Sequence, residues 1–292
     1  MISNAVVPVA GIGTRLLPLT KSQPKELLPV GRKPVIQYIA EELMAAGLEN
    51  VLFVTGKRKM AIENHFDRDP ELIHALEGNS KQKLIPRVDS DSLGLNLFYT
   101  RQDRQLGLGH AVGFAEAFAG GRPFVVALGD TIIRSDESPN VITKLIECFE
   151  EKGASCVIAL QEVPDEDVIR YGIAQPAHGE DGGVLELADL VEKPAVGSAP
   201  SNLAIAARYV FSAEIFEAIA RTKPGRGGEI QLTDAIRLLL REGGKVYGVQ
   251  MKATDRRYDI GTFESYFRCF VDYALADEEC GENLKAYLRQ KL

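Results

Sequence analysis

The 292-residue chain sets 34 Lys and Arg against 41 Asp and Glu, a net charge of −7, with 45% hydrophobic and 26% charged residues. That composition is expected of a soluble globular protein with one large domain or a domain and a subdomain, and the lack of a basic stripe argues against a nucleic-acid partner. No apolar run nears membrane-spanning length and no basic-then-apolar leader is visible, so no membrane partner and a cytoplasmic location are expected.

The apolar, β-branched run from Ala5 to Val9 predicts a buried parallel strand. It breaks at Ala10-Gly11-Ile12-Gly13-Thr14-Arg15, where two glycines let backbone N–H groups close on an anion. Arg15 and the Lys25 of Pro24-Lys25-Glu26 add fixed positive charge, a combination suited to a triphosphate. A dinucleotide fingerprint would place a third glycine at the start of a helix, but Leu16-Leu17-Pro18 follows instead. Gly56-Lys57-Arg58 lacks the hydroxyl residue of a P-loop.

Helical spacing from Pro34 to Ala46, stopped by Gly47, leads to a strand over Val51 to Thr55 and a helix over Lys57 to Phe66. The run Lys57-Arg58-Lys59 reads as a helix cap or a solvated face. Asp69 to Ser92 is polar and reads as a helix followed by an exposed loop. A strand over Leu95 to Thr100 runs into Gln102, and Gly107-Leu108-Gly109-His110-Ala111 opens a helix. A further strand, Phe124 to Leu128, ends at Gly129-Asp130. This alternation predicts an α/β fold with a Rossmann-like mixed, mostly parallel sheet and helices on both faces. Ligands of such sheets lie beyond the carboxyl ends of the strands, so the Gly11 loop, Gln102 with Gly107, and Asp130 are expected on one edge.

Strands are expected over Ala154 to Gln161, from Tyr171-Gly172, over Val184 to Val191, over Asn202 to Phe211 and over Lys245 to Gln250. Helices are expected over Ala213 to Arg221, through Leu240, over Phe263 to Ala276 and from Glu282, with a turn at Tyr258 to Thr262. No Pro-, Gly- or Ser-rich linker divides the chain. The organisation expected is one domain over 1–292: a nucleotide-binding half (1–135), a smaller α+β sugar-phosphate half (136–262) packed on it, and C-terminal helices (263–292).

Several side chains can carry chemistry. The Gln102 amide both donates and accepts and, with the Gly107 backbone, can read a pyrimidine edge; otherwise it is a surface residue. Asp130 after an apolar strand is a candidate for Mg2+, which takes one or two carboxylates plus substrate phosphates; otherwise it caps a turn. Asp259 can supply a second carboxylate. Glu192-Lys193-Pro194 sets an acceptor for sugar hydroxyls beside a cation for a sugar phosphate, or else is a solvated pair. His65, His74, His110 and His178 show no metal spacing, and Cys148, Cys156, Cys269 and Cys280 suggest neither zinc nor disulfides. No Gly-x-Ser-x-Gly or His-Glu-x-x-His occurs, so no covalent nucleophile is indicated.

The Gly-x-Gly-Thr-Arg loop followed by Pro-Lys-Glu resembles the signature of sugar-1-phosphate nucleotidyltransferases. Over nearly its whole length the chain resembles bacterial UTP–glucose-1-phosphate uridylyltransferases. Further landmarks are Glu63-Asn64-His65-Phe66-Asp67, Val191-Glu192-Lys193-Pro194, Ser201-Asn202-Leu203-Ala204-Ile205 and Gly228-Glu229-Ile230-Gln231-Leu232-Thr233-Asp234-Ala235-Ile236. The resemblance implies that UTP and glucose 1-phosphate give UDP-glucose and pyrophosphate, with Mg2+ as cofactor. By motif, Ala10, Gly11, Gly13, Thr14, Glu26, Gln102 and Gly107 would hold the nucleotide. Arg15 and Lys25 would face the triphosphate as catalytic cations, with Lys193 at the sugar phosphate. Gly172, Glu192, Lys193 and Asn202 would form the sugar-phosphate site, and Asp130 the metal site with Asp259. A homodimer or homotetramer is implied as well.

Two departures stand out. Many members have Pro where this chain has Gly129, and Asp259-Ile260-Gly261-Thr262 looks more like the thymidylyltransferase branch. Alternatives are therefore a transferase using dTTP, another nucleotide or another hexose 1-phosphate, and a weakly catalytic regulatory paralogue that binds nucleotide sugar.

Overall fold

The structure is a computed structural model that describes residues 2–77, 81–135, 138–177 and 182–291; His178 lies outside them. Its strands in chain order are β1 (Asn4–Pro8), β2 (Asn50–Thr55), β3 (Asn96–Arg101), β4 (Phe124–Ala127), β5 (Thr131–Arg134) and β6 (Cys156–Glu162). They continue with β7 (Gly172–Pro176), β8 (Val184–Glu192), β9 (Leu203–Phe211), β10 (Val246–Gln250) and β11 (Arg256–Asp259). A hairpin, Pro29–Val30 with Lys33–Pro34, stands apart.

Among the described residues, nine strands join in one sheet of order β3-β2-β1-β4-β9-β6-β10-β8-β7. The βαβ half gives the expected parallel ladder from β3 to β4. Antiparallel pairing enters where β9 crosses back between β4 and β6, and again at β8, while β10 runs parallel to β6. The strands of the two halves therefore share one continuous sheet. Alternate residues of the central strands feed two cores. Ala5, Val7 and Val51 pack with Ile36, Ile39 and Leu43 of the Val35–Ala45 helix. Val6, Leu52 and Val126 pack on the other face with Val112, Ile215, Ile219 and Leu239. That two-sided burial explains why these strands read as continuous apolar runs rather than alternating ones.

Several elements differ from expectation, and three of them shape the scaffold. The segment read as a turn at Tyr258 begins as strand β11, which pairs antiparallel with β5 outside the main sheet, Asp259 opposite Thr131. Arg-Arg-Tyr-Asp is too short and polar to show a strand period. The Val141–Lys152 helix is absent from the sequence reading; Asn140 caps it, accepting from Thr143 N at 2.9 Å, and Gly153 closes it in the left-handed region. β9 is irregular between Ile205 and Tyr209, where Ala207 takes φ 62. Beside that bulge Arg208 is 0% exposed. Its Nη2 donates to Glu42 Oε2 at 2.6 Å and to Thr131 O at 2.8 Å, fastening β5 to the central strands.

The helix Phe263–Leu275 opens with a capping box between Thr262 and Ser265 and buries Tyr266 and Cys269. The helix Gly281–Arg289 follows, as expected. Phe267, Phe270 and Val271 remain exposed on the first of these.

Candidate active site

Strand order reverses at β1: β2 and β3 extend to one side and β4 to the other. The crevice beyond the carboxyl ends of β1 and β4 is thus the topological switch point at which open α/β sheets bind ligands. The Gly11 loop leaves β1 here and Gly129-Asp130 leaves β4, joined by Gly129 N donating to Pro8 O at 3.4 Å. A Cβ on Gly129 would lie 2.4 Å from Val9 Cγ1, so the residue preceding Asp130 is glycine because Val9 fills the space.

Lys25 rises from the turn Lys25–Leu27 beneath the loop. Its stem runs under Gly13, and its Nζ would lie 3.6 Å from a Cβ on Gly11. Gly13 is left-handed, φ 74, and its carbonyl accepts from Thr20 Oγ1 at 2.7 Å. The glycines therefore serve both the bend and the lysine beneath it. Lys25 Nζ forms an ion pair with Asp130 Oδ2. Ile260 N donates to Asp130 O at 2.9 Å, which brings Asp259 alongside. A Cβ on Gly261 would lie 2.8 Å from Asp259 Oδ1 and 3.0 Å from Arg15 Nη2, so the exposed Arg15 reaches the same corner.

The charges act on one another. Burial alone would lower the Lys25 pKa, but the carboxylates of Asp130, Glu26 and Asp259 override it and raise it. Burial works to raise Asp130; Lys25, with Arg15 behind it, overrides that and holds the carboxyl below its usual value. Asp259 goes the other way: burial and then repulsion from Asp130 push it up against Arg257, Lys25 and Arg15. Among the described residues no hydrogen bond or ion pair reaches the Asp259 side chain. Two adjacent carboxylates, one of them unpaired and raised by its neighbour, suit a hard divalent cation. Among the described residues no group of three or more His, Cys, Asp or Glu could hold a metal ion alone, so the remaining ligands of Mg2+ would have to be phosphate or water oxygens.

Among the nucleotide candidates Ala10 is buried, and its carbonyl accepts from Gln105 Nε2 at 2.7 Å. Gly11 and Thr14 are exposed. Gln102 is 5% exposed, not a surface residue; its Nε2 lies 2.8 Å from His110 Nδ1 and 3.4 Å from Gly107 O. Gly107 takes φ 102, and a Cβ there would meet Ile230 O at 2.7 Å. The glycine is needed because residue 230 pairs with this loop, Ile230 N to Leu106 O at 2.7 Å and Gly109 N to Ile230 O at 2.9 Å. Glu26 is 1% exposed and meets Lys59 Nζ at 2.6 Å. This corrects the expectation of a cap or solvated face: Lys57 and Arg58 are exposed, whereas Lys59 is 5% exposed.

The sugar-phosphate candidates gather at β7 and β8. Glu192 Oε1 meets Lys193 Nζ at 3.0 Å, and Glu192 Oε2 accepts from Thr233 Oγ1 at 2.7 Å. A Cβ on Gly172 would lie 3.3 Å from Glu192 Oε2. Lys193 takes φ 46, a costly conformation held by its N–H donating to Tyr171 O at 2.9 Å. Arg257 stacks over the Tyr171 ring at 4.3 Å and also acts on Asp259, linking this cluster to the Asp130–Asp259 corner. Asn202 is exposed at the head of β9, its carbonyl accepting from Val163 N at 3.0 Å. Sequence reasoning misses Lys59, Gln105, Thr233 and Arg257 as site residues. Only Thr233 carries a sequence signal, in the Gly228 to Ile236 run.

The nucleotidyl transferase family profile matches residues 4–275, and the chain belongs to this family. It is 45% identical to the UTP–glucose-1-phosphate uridylyltransferase of Staphylococcus epidermidis, over 99% of this chain and 98% of that one. Among solved structures, a UTP-bound UGPase from Acinetobacter baumannii is 36% identical with a TM-score of 0.90, covering 99% of each chain. A UDP-glucose pyrophosphorylase complexed with UDP-glucose is 37% identical with a TM-score of 0.83, over 95% of this chain and 100% of that one. The resemblance read from the motifs, and the α/β fold read from the alternation of strands and helices, are borne out.

Proposed function

We infer that the chain transfers the uridylyl group of UTP to glucose 1-phosphate, giving UDP-glucose and pyrophosphate. The reading is carried by the convergence of Lys25, Arg15, Asp130 and Asp259 at the switch point of a fold shared end to end with a UTP-bound relative. Loop N–H groups from Gly11 to Thr14, with Arg15 and Lys25, receive the triphosphate. Ala10, Glu26, Gln102 and Gly107 border the nucleoside. Glu192 accepts from sugar hydroxyls, Lys193 neutralises the sugar phosphate, and Gly172 and Asn202 complete that subsite. Gly172 has no Cβ because Glu192, Thr233 and Ile205 crowd it.

Chemistry follows from charge. A phosphate oxygen of glucose 1-phosphate attacks the α-phosphorus in line and pyrophosphate departs. The attacking oxygen is already ionised, so no general base is required. Lys193 and Lys25 bring two anions together, and Lys25 with Arg15 offsets charge that grows on the leaving oxygen. Mg2+, held by Asp130 and Asp259, would add further neutralisation of the phosphates when bound. Lys25 touches Asp130, so it can hold that carboxylate charged and in place.

A homodimer or homotetramer is the assembly we carry with this reading, supported by the exposed Phe267, Phe270 and Val271 of one C-terminal helix; light scattering of the purified protein tests it. A cytoplasmic location is consistent with cysteines that are all free and, among the described residues, no helix long and apolar enough to cross a membrane. The function is tested by pyrophosphate release over a panel of nucleotides and sugar phosphates with Mg2+. UTP with glucose 1-phosphate is expected to give the fastest release and UDP-glucose as product. A faster rate with dTTP, or none with UTP, overturns the reading.

A further inference from the structure

The basic run after β2 hides one lysine that neither helix stability nor solubility explains. Lys59 precedes the Met60–Phe66 helix at its N-cap position but makes no side-chain cap there. An ammonium at that end opposes the helix dipole, where an Asp or Ser would be favoured. Its neighbours Lys57 and Arg58 are exposed, yet Lys59 is buried with its Nζ on Glu26 Oε2. Gly56, at the turn into this segment, packs so closely on the nucleotide loop that a Cβ would sit 3.2 Å from Ala10 O. Lys59 thus follows closely on a segment packed against that loop and reaches Glu26 from it.

Glu26 adjoins Lys25 in one turn, and both feel each other's charge. Buried carboxylates need a partner. Besides Lys59, the cation acting on Glu26 is Lys25, which the site commits to Asp130 and the triphosphate. The row Lys59, Glu26, Lys25, Asp130 thus alternates in sign, with Lys59 paired to Glu26 at one end and Asp130 paired to Lys25 at the other.

We propose that Lys59 is a positioning residue: by holding Glu26, it keeps Glu26 facing the nucleoside and leaves Lys25 free for Asp130 and the phosphates. This rests on the uridylyl-transfer reading above. It is tested with Lys59→Met, Glu26→Gln and the double variant, measuring kcat, KM for UTP, KM for glucose 1-phosphate and Tm alongside the unaltered protein. Lys59→Met is expected to raise KM for UTP tenfold or more and to lower kcat, with KM for glucose 1-phosphate within twofold. In the Glu26→Gln background the same change should alter KM for UTP less than twofold, because Lys59 acts through Glu26.

An equal rise in both KM values overturns the proposal, as does an effect of Lys59→Met that is as large in the Glu26→Gln background as in the otherwise unaltered protein. So does a soluble Lys59→Met protein with unaltered kinetics. If Lys59→Met alone does not fold, Glu26→Gln is compared with the double variant: KM values for UTP within twofold support the proposal, and a larger difference overturns it. Inactivity of the unaltered protein with UTP and glucose 1-phosphate would instead refute the underlying function.

Discussion

Lys25 and Asp130, 105 residues apart in the chain, form an ion pair at the point where strand order reverses. One comes from the turn beneath the β1 loop and the other from the end of β4. Neither is placed by its neighbours in sequence; the parallel pairing of β1 with β4 brings them together.

Replacing that lysine is expected to be costly for turnover. Lys25→Ala should lower kcat/KM by about 10²–10³-fold, the scale of one lost transition-state contact to developing charge. Lys193→Ala should act comparably at the sugar phosphate. Circular dichroism should be unchanged in both, and near-normal initial rates in either variant would remove it from the catalytic set.

Gly129 leads to a stability prediction with a built-in control. Gly129→Ala drives a methyl into Val9 Cγ1, at 2.4 Å without relaxation. Overpacking of this kind costs about 1–3 kcal/mol. Tm and activity should fall together, because Asp130 is the next residue. Val9→Ala in the same protein should recover much of both; no recovery would place the strain elsewhere.

Thr233→Val removes the hydroxyl that donates to Glu192 while keeping the volume. A lost hydrogen bond of about 1 kcal/mol corresponds to roughly a fivefold change. KM for glucose 1-phosphate should rise by about that factor and KM for UTP should stay put. The reverse pattern would show that Glu192 does not serve the sugar.

The buried Arg208 supplies a test of the scaffold. Arg208→Met leaves Glu42 without its partner and frees the Thr131 carbonyl. Breaking a buried pair from one side costs about 3–5 kcal/mol. The urea midpoint should fall accordingly; an unchanged midpoint would mean that the pair contributes nothing.

What can be read from the sequence follows from how local each feature is. Val6 and Val7 announce β1, and Gly13 the loop, because burial and a positive φ leave their mark on residue type. The pairing of Asp130 with Asp259 follows from chemistry alone; the strand pair β5–β11 that achieves it is not visible, since four residues of mixed polarity show no period. Lys59 reads as solvated for a similar reason. Nothing in Lys57-Arg58-Lys59 distinguishes the one lysine that meets a buried carboxylate from the two residues that meet water, and the distinction exists only once Glu26 is placed. Gln102 falls at the right loop, but its contact with His110 depends on the helix that follows.

The account holds that the two anionic substrates react directly, gathered by side-chain cations, with no bond to the protein at any stage. The most direct test uses UTP made chiral at the α-phosphorus with sulfur in place of one oxygen, followed by assignment of the UDP-glucose analogue formed. A single in-line displacement predicts inversion at phosphorus. Retention would require two displacements through a uridylyl-protein intermediate, and would contradict it.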